Sequence, residues 1–159
     1  IACCWINSGV RVWRRSLFHY CESEEEIDLS VRANFAALPG EAVGRRPADE
    51  PLLKMVENAL VEMAKGYESP ETRKLGRLIR STPALNAAEQ AKYEKIEQVL
   101  TKALADRKGL PETDMECRVT AAAAIGILKL AVEAWLAGTD RSTEKHFRQA
   151  FDTLRRIAG

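Results

Sequence analysis

Apolar residues recur at helical spacing along nearly the whole chain, and no run alternates between apolar and polar positions as a half-buried strand requires. The pattern predicts an all-α protein. Ile27, Val31, Phe35 and Leu38 share one helical face, with Ser23 placed to cap and Glu24, Glu25 and Glu26 in the first turn, where negative charge meets the positive end of the helix dipole. Pro39-Gly40 reads as the end of that helix. The following run, Arg45-Arg46-Pro47-Ala48-Asp49-Glu50-Pro51, reads as a polar connector whose last proline suits a helix start. This predicts a domain seam, with a smaller unit over residues 1–40 and a larger helical domain over 41–159.

From Leu52 a broad apolar stripe runs through Leu53, Val56, Ala59, Leu60, Met63 and Tyr67, closed by Gly66 and the Ser69-Pro70 boundary. A shorter helix carries Leu75, Leu78 and Ile79. Ser81-Thr82-Pro83 is a stop-and-restart signal, with a hydroxyl able to cap the next helix, which runs through Leu85, Ile96, Val99, Leu100, Ala103 and Leu104 to Gly109 and Pro111.

The segment from Thr113 to Ala137 differs, because at about 100° per residue it shows two apolar stripes on nearly opposite sides. One is Ile125, Leu128, Val132, Trp135 and Leu136; the other is Val119, Ala123, Ile127, Leu130 and Ala134. Only Lys129 and Glu133 mark a wet strip. The last helix, with Phe147, Phe151, Leu154 and Ile157 on one face, cannot cover both stripes, so a second copy of the chain is the natural cover. The central helix of a monomeric bundle would show the same two stripes. The run Ala121 to Leu136 is the longest membrane-span candidate, and its two charges point to a buried helix instead.

The chain has 159 residues, 46% hydrophobic and 30% charged, which suits one well-buried core or a small head plus one larger domain. A formal charge of +1 means that nucleic-acid binding would have to come from a local basic patch. Cys3, Cys4, Cys21 and Cys117 form no Cys-x-x-Cys, and His19 and His146 stand alone, so no metal site is expected and the cysteines fit a reducing cytosol. No nucleophile–base pair, glycine-rich phosphate loop or carboxylate–histidine cluster stands at recognisable spacing, which argues against an enzyme and implies no cofactor. The chain starts at Ile1 inside a helical pattern, so further residues are expected upstream.

Near the start, Arg14-Arg15-Ser16-Leu17-Phe18-His19-Tyr20 mixes cations, a hydroxyl and a phenol on a turn and a half of helix, donors suited to phosphates and base edges; a solvated basic helix would look similar. Gly9-Val10, that run, and Glu22-Ser23-Glu24-Glu25-Glu26-Ile27 resemble the end of the helix-turn-helix of the TetR family. Arg77-Leu78-Ile79-Arg80-Ser81-Thr82-Pro83-Ala84-Leu85 and Glu133-Ala134-Trp135-Leu136-Ala137-Gly138 resemble C-terminal domains of actinobacterial members. The resemblance runs from about Ile6 to the end.

It implies a TetR-like helical bundle with a partial helix-turn-helix head, acting as a homodimer on a pseudo-palindromic double-stranded DNA operator. It also implies repression relieved by a small ligand, and a dimer interface from the last two helices. Carried over, Arg14, Arg15, Ser16, His19 and Tyr20 face DNA, Leu17 and Phe18 pack the head, and Ile27 anchors the connecting helix. The dimer face comprises Val119, Ala123, Ile127, Leu130, Ala134, Phe147, Phe151 and Leu154.

The resemblance also implies an effector pocket among the middle helices of the larger domain, for which Met55, Met63, Tyr67, Arg73, Arg77, Tyr93 and Trp135 are the candidate lining; such a pocket suits a largely apolar molecule with one polar end, such as an acyl chain or an aromatic compound. Methionines and tyrosines at helical spacing also serve as core filler, and an arginine pair four apart also serves as a solvated surface pair.

The sequence departs from the family pattern in three places. Arg11-Val12-Trp13 stands where the family has one Ser or Thr, a shift of about 200° if absorbed helically. Cys21 replaces an aromatic core residue, and Glu24 replaces a lysine that meets phosphate. These departures keep open a second expectation, a dimeric helical ligand-binding or interaction protein without DNA binding.

Overall fold

The computed structural model describes residues 37–66 and 68–159. Six α-helices make up the described part, which contains no strand: α1 Leu38–Gly44, α2 Leu52–Lys65, α3 Pro70–Ser81, α4 Pro83–Lys108, α5 Met115–Ala137 and α6 Glu144–Ala158. The all-α expectation holds. The chain divides at residue 35, and every described helix belongs to the larger unit, which starts at Ala36. Arg14, Arg15, Ser16, His19, Tyr20 and Tyr67, with the helix expected through Ile27, Val31 and Phe35, lie outside the described residues.

Pro39-Gly40 does not end a helix. Pro39 sits in the first turn of α1, where its missing N–H has no intrahelical partner to lose, and the helix continues to Gly44. Gly40 is there for contact: a β-carbon built on it would lie 2.7 Å from Val99 Cγ1 of α4, so glycine lets the two helices close on one another. The Arg45–Pro51 connector is likewise tied down inside this unit. Arg107 Nε donates to the Arg46 carbonyl at 2.5 Å, and Lys108 Nζ to the carbonyls of Ala48 and Glu50 at 2.7 Å each. The two cations stand in the last turn of α4 and fix the turn that leads into α2.

The remaining boundaries follow local chemistry. Ser69 caps α3, its hydroxyl accepting from the Thr72 N–H at 3.0 Å. Thr82 does not cap α4; its hydroxyl and that of Ser81 donate back to the Leu78 carbonyl, at 2.9 and 3.0 Å, and satisfy the end of α3 instead. Gly109 takes the left-handed conformation (φ 67°) that ends α4, and Leu110 N–H closes the cap on the Ala105 carbonyl at 2.9 Å. Asp114 caps α5 through the Cys117 N–H at 3.0 Å.

The core lies where α5 meets α2, α4 and α6, with α1 packed on both α2 and α4. Met55, Val56, Ala59, Leu60, Ile96, Leu100, Leu104, Ala121, Ala124, Leu128, Phe147 and Phe151 are all buried there. One acid is buried among them. Glu57 is 2% exposed and holds α2 to α6: Arg148 Nη1 lies 3.1 Å from Oε1 and Arg155 Nη2 bonds Oε2, while Lys54 of its own helix reaches Oε2 at 3.2 Å. Burial alone would push this carboxyl up, but the hydrogen bonds from Arg155 and Lys54 and their charges outweigh it and hold the group below its ordinary value. At the start of α6, Glu68 accepts from the Thr143 N–H and hydroxyl at 2.5 and 2.6 Å, capping the helix from a distant loop.

α5 has 23 residues and a mean hydropathy of 1.7 over its most apolar stretch, enough to cross a bilayer by length and composition alone. Lys129 and Glu133 do not break the run because they sit among strongly apolar neighbours. With 44% of that stretch buried against the other helices, α5 sits here as the core helix of a bundle, and the rest of its apolar surface is uncovered.

Candidate functional site

The two stripes expected on α5 separate in the structure, with Ile127 as the exception. Ile125, Leu128, Trp135 and Leu136 are buried and Val132 is half-buried, so this stripe makes the chain's own core. The other faces outward. Val119 is 58% and Leu130 63% exposed, Ala134 is exposed and Ala123 half-buried; Met115, 63% exposed, extends the row by one turn toward the helix start. Ala122 and Gly126 stand exposed between the large residues, and a β-carbon at Gly126 would meet nothing within 4 Å. The result is an apolar strip with a low centre and raised ends.

Three of the residues expected on this face point inward. Ile127 lies at its edge and is 6% exposed, while Phe147 and Phe151 are 1% and 0% exposed and fill the space between α6, α2 and α5. They set the position of α6 rather than offering surface themselves. What α6 leaves at the surface is half-buried Leu154 and, near its end, Ile157, 74% exposed. Burial reads the face more sharply than periodicity does: Met115, Ala122, Gly126 and Ile157 belong to the exposed set, and the outward row at 115, 119, 122, 126 and 130 carries that signal in the sequence.

At the start of the strip an open groove of ≈ 400 Å³ is lined by Leu52, Leu53, Met115, Glu116, Val119 and Thr120. It continues the apolar face across to the first turn of α2. None of the residues expected to hold an effector lines it.

Those residues divide into two groups. Met55, Met63, Tyr93 and Trp135 are buried, at 0%, 9%, 5% and 4% exposure, and act as packing in the closed bundle. Burial pushes the Tyr93 phenol far above its ordinary range, and Lys129 Nζ stands 5.0 Å from the centre of its ring. Arg73 and Arg77 instead serve the end of α5. Arg77 Nε donates to the Leu136 carbonyl at 2.9 Å, Arg73 Nη1 donates to the Gly138 carbonyl at 3.3 Å and Nη2 to that of Asp140, and the Arg73 guanidinium lies 4.6 Å from the centre of the Trp135 ring. Arg80 completes the row, with Nη2 3.5 Å from the Lys129 carbonyl and Nη1 3.4 Å from Glu133. The last carbonyls of a helix lack intrahelical donors and carry the negative end of its dipole, so the Arg77 guanidinium at Leu136 satisfies both needs, while Arg73 holds the turn just beyond the helix and Arg80 braces its side at Lys129 and Glu133. No partner for these cations could be inferred from sequence, since the carbonyls they meet lie some sixty residues away, with Arg77 and Leu136 separated by 59 positions.

Among the described residues, no group of His, Cys, Asp and Glu side chains could hold a metal ion. Cys117 is fully buried, and burial with the neighbouring Asp114 pushes its thiol up to about 11. Residues 50–158, from just before α2 through α6, match a family model described as the MftR C-terminal domain. No curated protein matches the chain.

Proposed function

The chain belongs to the TetR family of transcriptional regulators, and we propose that it works as a ligand-responsive regulator, a repressor acting as a homodimer in the cytoplasm. The observation that carries this reading is the outward strip of α5, where Met115, Val119 and Leu130 are each more than half exposed and Ile157 of α6 adds to it. A helix of bilayer-grade hydropathy with one bare side needs a cover, and a two-fold partner laying the same strip against it supplies one without any new residue type. Each dimer would then carry two heads, the number that the two half-sites of a pseudo-palindromic operator demand. In this reading Arg14, Arg15, Ser16, His19 and Tyr20 contact the operator.

The effector is a small, mostly apolar molecule entering among α2, α4 and α5. Met55 and Met63 are the packing it displaces most cheaply, because an unbranched thioether chain repacks with little cost. A second reading, a dimeric ligand-binding or interaction protein without DNA binding, is favoured by Arg11-Val12-Trp13 ahead of the basic run and by Glu24 where phosphate contact calls for a cation.

A mobility-shift titration separates the two. Protein expressed from the complete coding sequence, mixed with its own upstream DNA, is expected to give a shift that weakens steeply as salt rises. A dimer that produces no shift even at low salt overturns the regulator reading in favour of the second.

A further inference from the structure

We propose that α3 is a gate: a helix held by arginine-to-carbonyl bonds rather than by buried side chains, which swings off while the rest of the bundle stays folded and uncovers Trp135 and Leu136. Its use as an effector entrance rests on the effector reading above, but the opening itself does not.

The first observation is what α3 lacks. It has no buried residue, and Leu75, Leu78 and Ile79 are only half-buried, whereas every other described helix carries at least two buried side chains, including the seven-residue α1 and its Pro39, Ala42 and Val43. A helix in a domain of this size normally keeps its place by burying an apolar stripe, and α3 does so only in part.

The second observation is what holds it instead. Arg73, Arg77 and Arg80 lie along one side of α3 and bond the carbonyls of Gly138, Asp140, Leu136 and Lys129, with an added ion pair from Arg80 to Glu133. Between the first two, Gly76 brings the helix backbone down on Leu136: a β-carbon there would lie 2.8 Å from Leu136 Cδ2. Bonds of this kind exchange readily with water. When α3 lifts, the guanidiniums and the α5 carbonyls are hydrated and no charge is stranded in the core, so the loss on opening is small.

The third observation is a joint at each end. Ser69 and Thr82, on either side of α3, are both extended (ψ 154° and 112°), and each precedes a proline that has no N–H to carry helical bonding across the boundary. α3 can therefore rotate about both ends without breaking α2 or α4. Beneath it lie the Trp135 indole, stacked under Arg73, and Leu136, 4% and 5% exposed while the helix is down.

Hydrogen exchange read by mass spectrometry on the full chain tests this without any ligand. Amides of α3 are expected to exchange about 100-fold faster than those of α4 and α5. The double variant Arg73→Gln, Arg77→Gln is expected to speed α3 by about a further 10-fold and to leave α2 and α4 unchanged. In a Trp5→Phe, Trp13→Phe background, acrylamide quenching reports Trp135 alone and is expected to rise in the arginine variant. α3 amides as protected as those of α5, or a variant that loses protection equally in all helices, would overturn the gate. Neither readout involves an effector, so a chain that binds none would still show the opening, and the effector reading fails or stands on its own titrations.

Discussion

Replacing Glu57 by glutamine tests the interlock between α2 and α6, because it keeps the side-chain shape and removes the charge that three cations share. The carboxylate is 2% exposed, but Arg148, Arg155 and Lys54 are 42%, 37% and 48% exposed. Losing one partner of a fully buried pair costs about 3–5 kcal/mol, most of it from the charge left behind without solvent. Here the cations left behind can hydrate. The loss should therefore fall nearer that of one or two charged hydrogen bonds, about 2 kcal/mol.

For a unit of this size that is roughly a 6–10 °C fall in Tm, measured at one fixed protein concentration so that association does not shift the midpoint. The pH profile adds a second signature. The Glu57 carboxyl is held below its ordinary value of 4.5, so its contribution is full above 4.5 and is lost as pH falls through the lower folded value. Wild-type protein should lose its advantage over Glu57→Gln across that acid window and keep it at neutral pH. Equal Tm values at pH 7, or a gap that widens on acidification, would refute the reasoning.

Other consequences can be checked with single substitutions. In the proposed homodimer Leu130→Asp places two carboxylates at the joint formed by the exposed strip of α5, and should weaken self-association by about two orders of magnitude in sedimentation while leaving helix content unchanged. Asp114→Ala removes the cap of α5 and should lower stability by about 1 kcal/mol in urea unfolding; no change would mean that the Cys117 N–H finds another acceptor. Because burial pushes the Cys117 thiol up to about 11, it should resist iodoacetamide at pH 8 in the native state and react once the chain is unfolded in urea. Rapid native labelling at that position would contradict the closed packing of α5 on its neighbours.

Helical periodicity disclosed the class, the start and end of α4 and the doubled stripe of α5, because each depends on residues close in sequence. It misread Pro39, since a proline signals a helix end as readily as a first turn, and what decides is the approach of Gly40 to Val99 of α4. Glu57 drew no notice beside Val56, because a buried acid makes sense only with Arg148 and Arg155, which lie 91 and 98 positions away. The same distance hid the role of Arg73 and Arg77. Their four-residue spacing identifies a shared face, but not that the open carbonyls at the end of α5 and in the turn beyond it stand opposite. Phe147 and Phe151 share a stripe with Leu154 and Ile157, and periodicity alone cannot say that the first two turn inward while Ile157 remains bare.

The central claim is that the bare side of α5 is covered by a second copy of the chain. Sedimentation equilibrium of the untagged protein at micromolar concentration measures it directly. A species of twice the 17.7 kDa chain mass, dissociating when Leu130 is made acidic, is the predicted result. A soluble 17.7 kDa species that persists across the whole concentration range would contradict it.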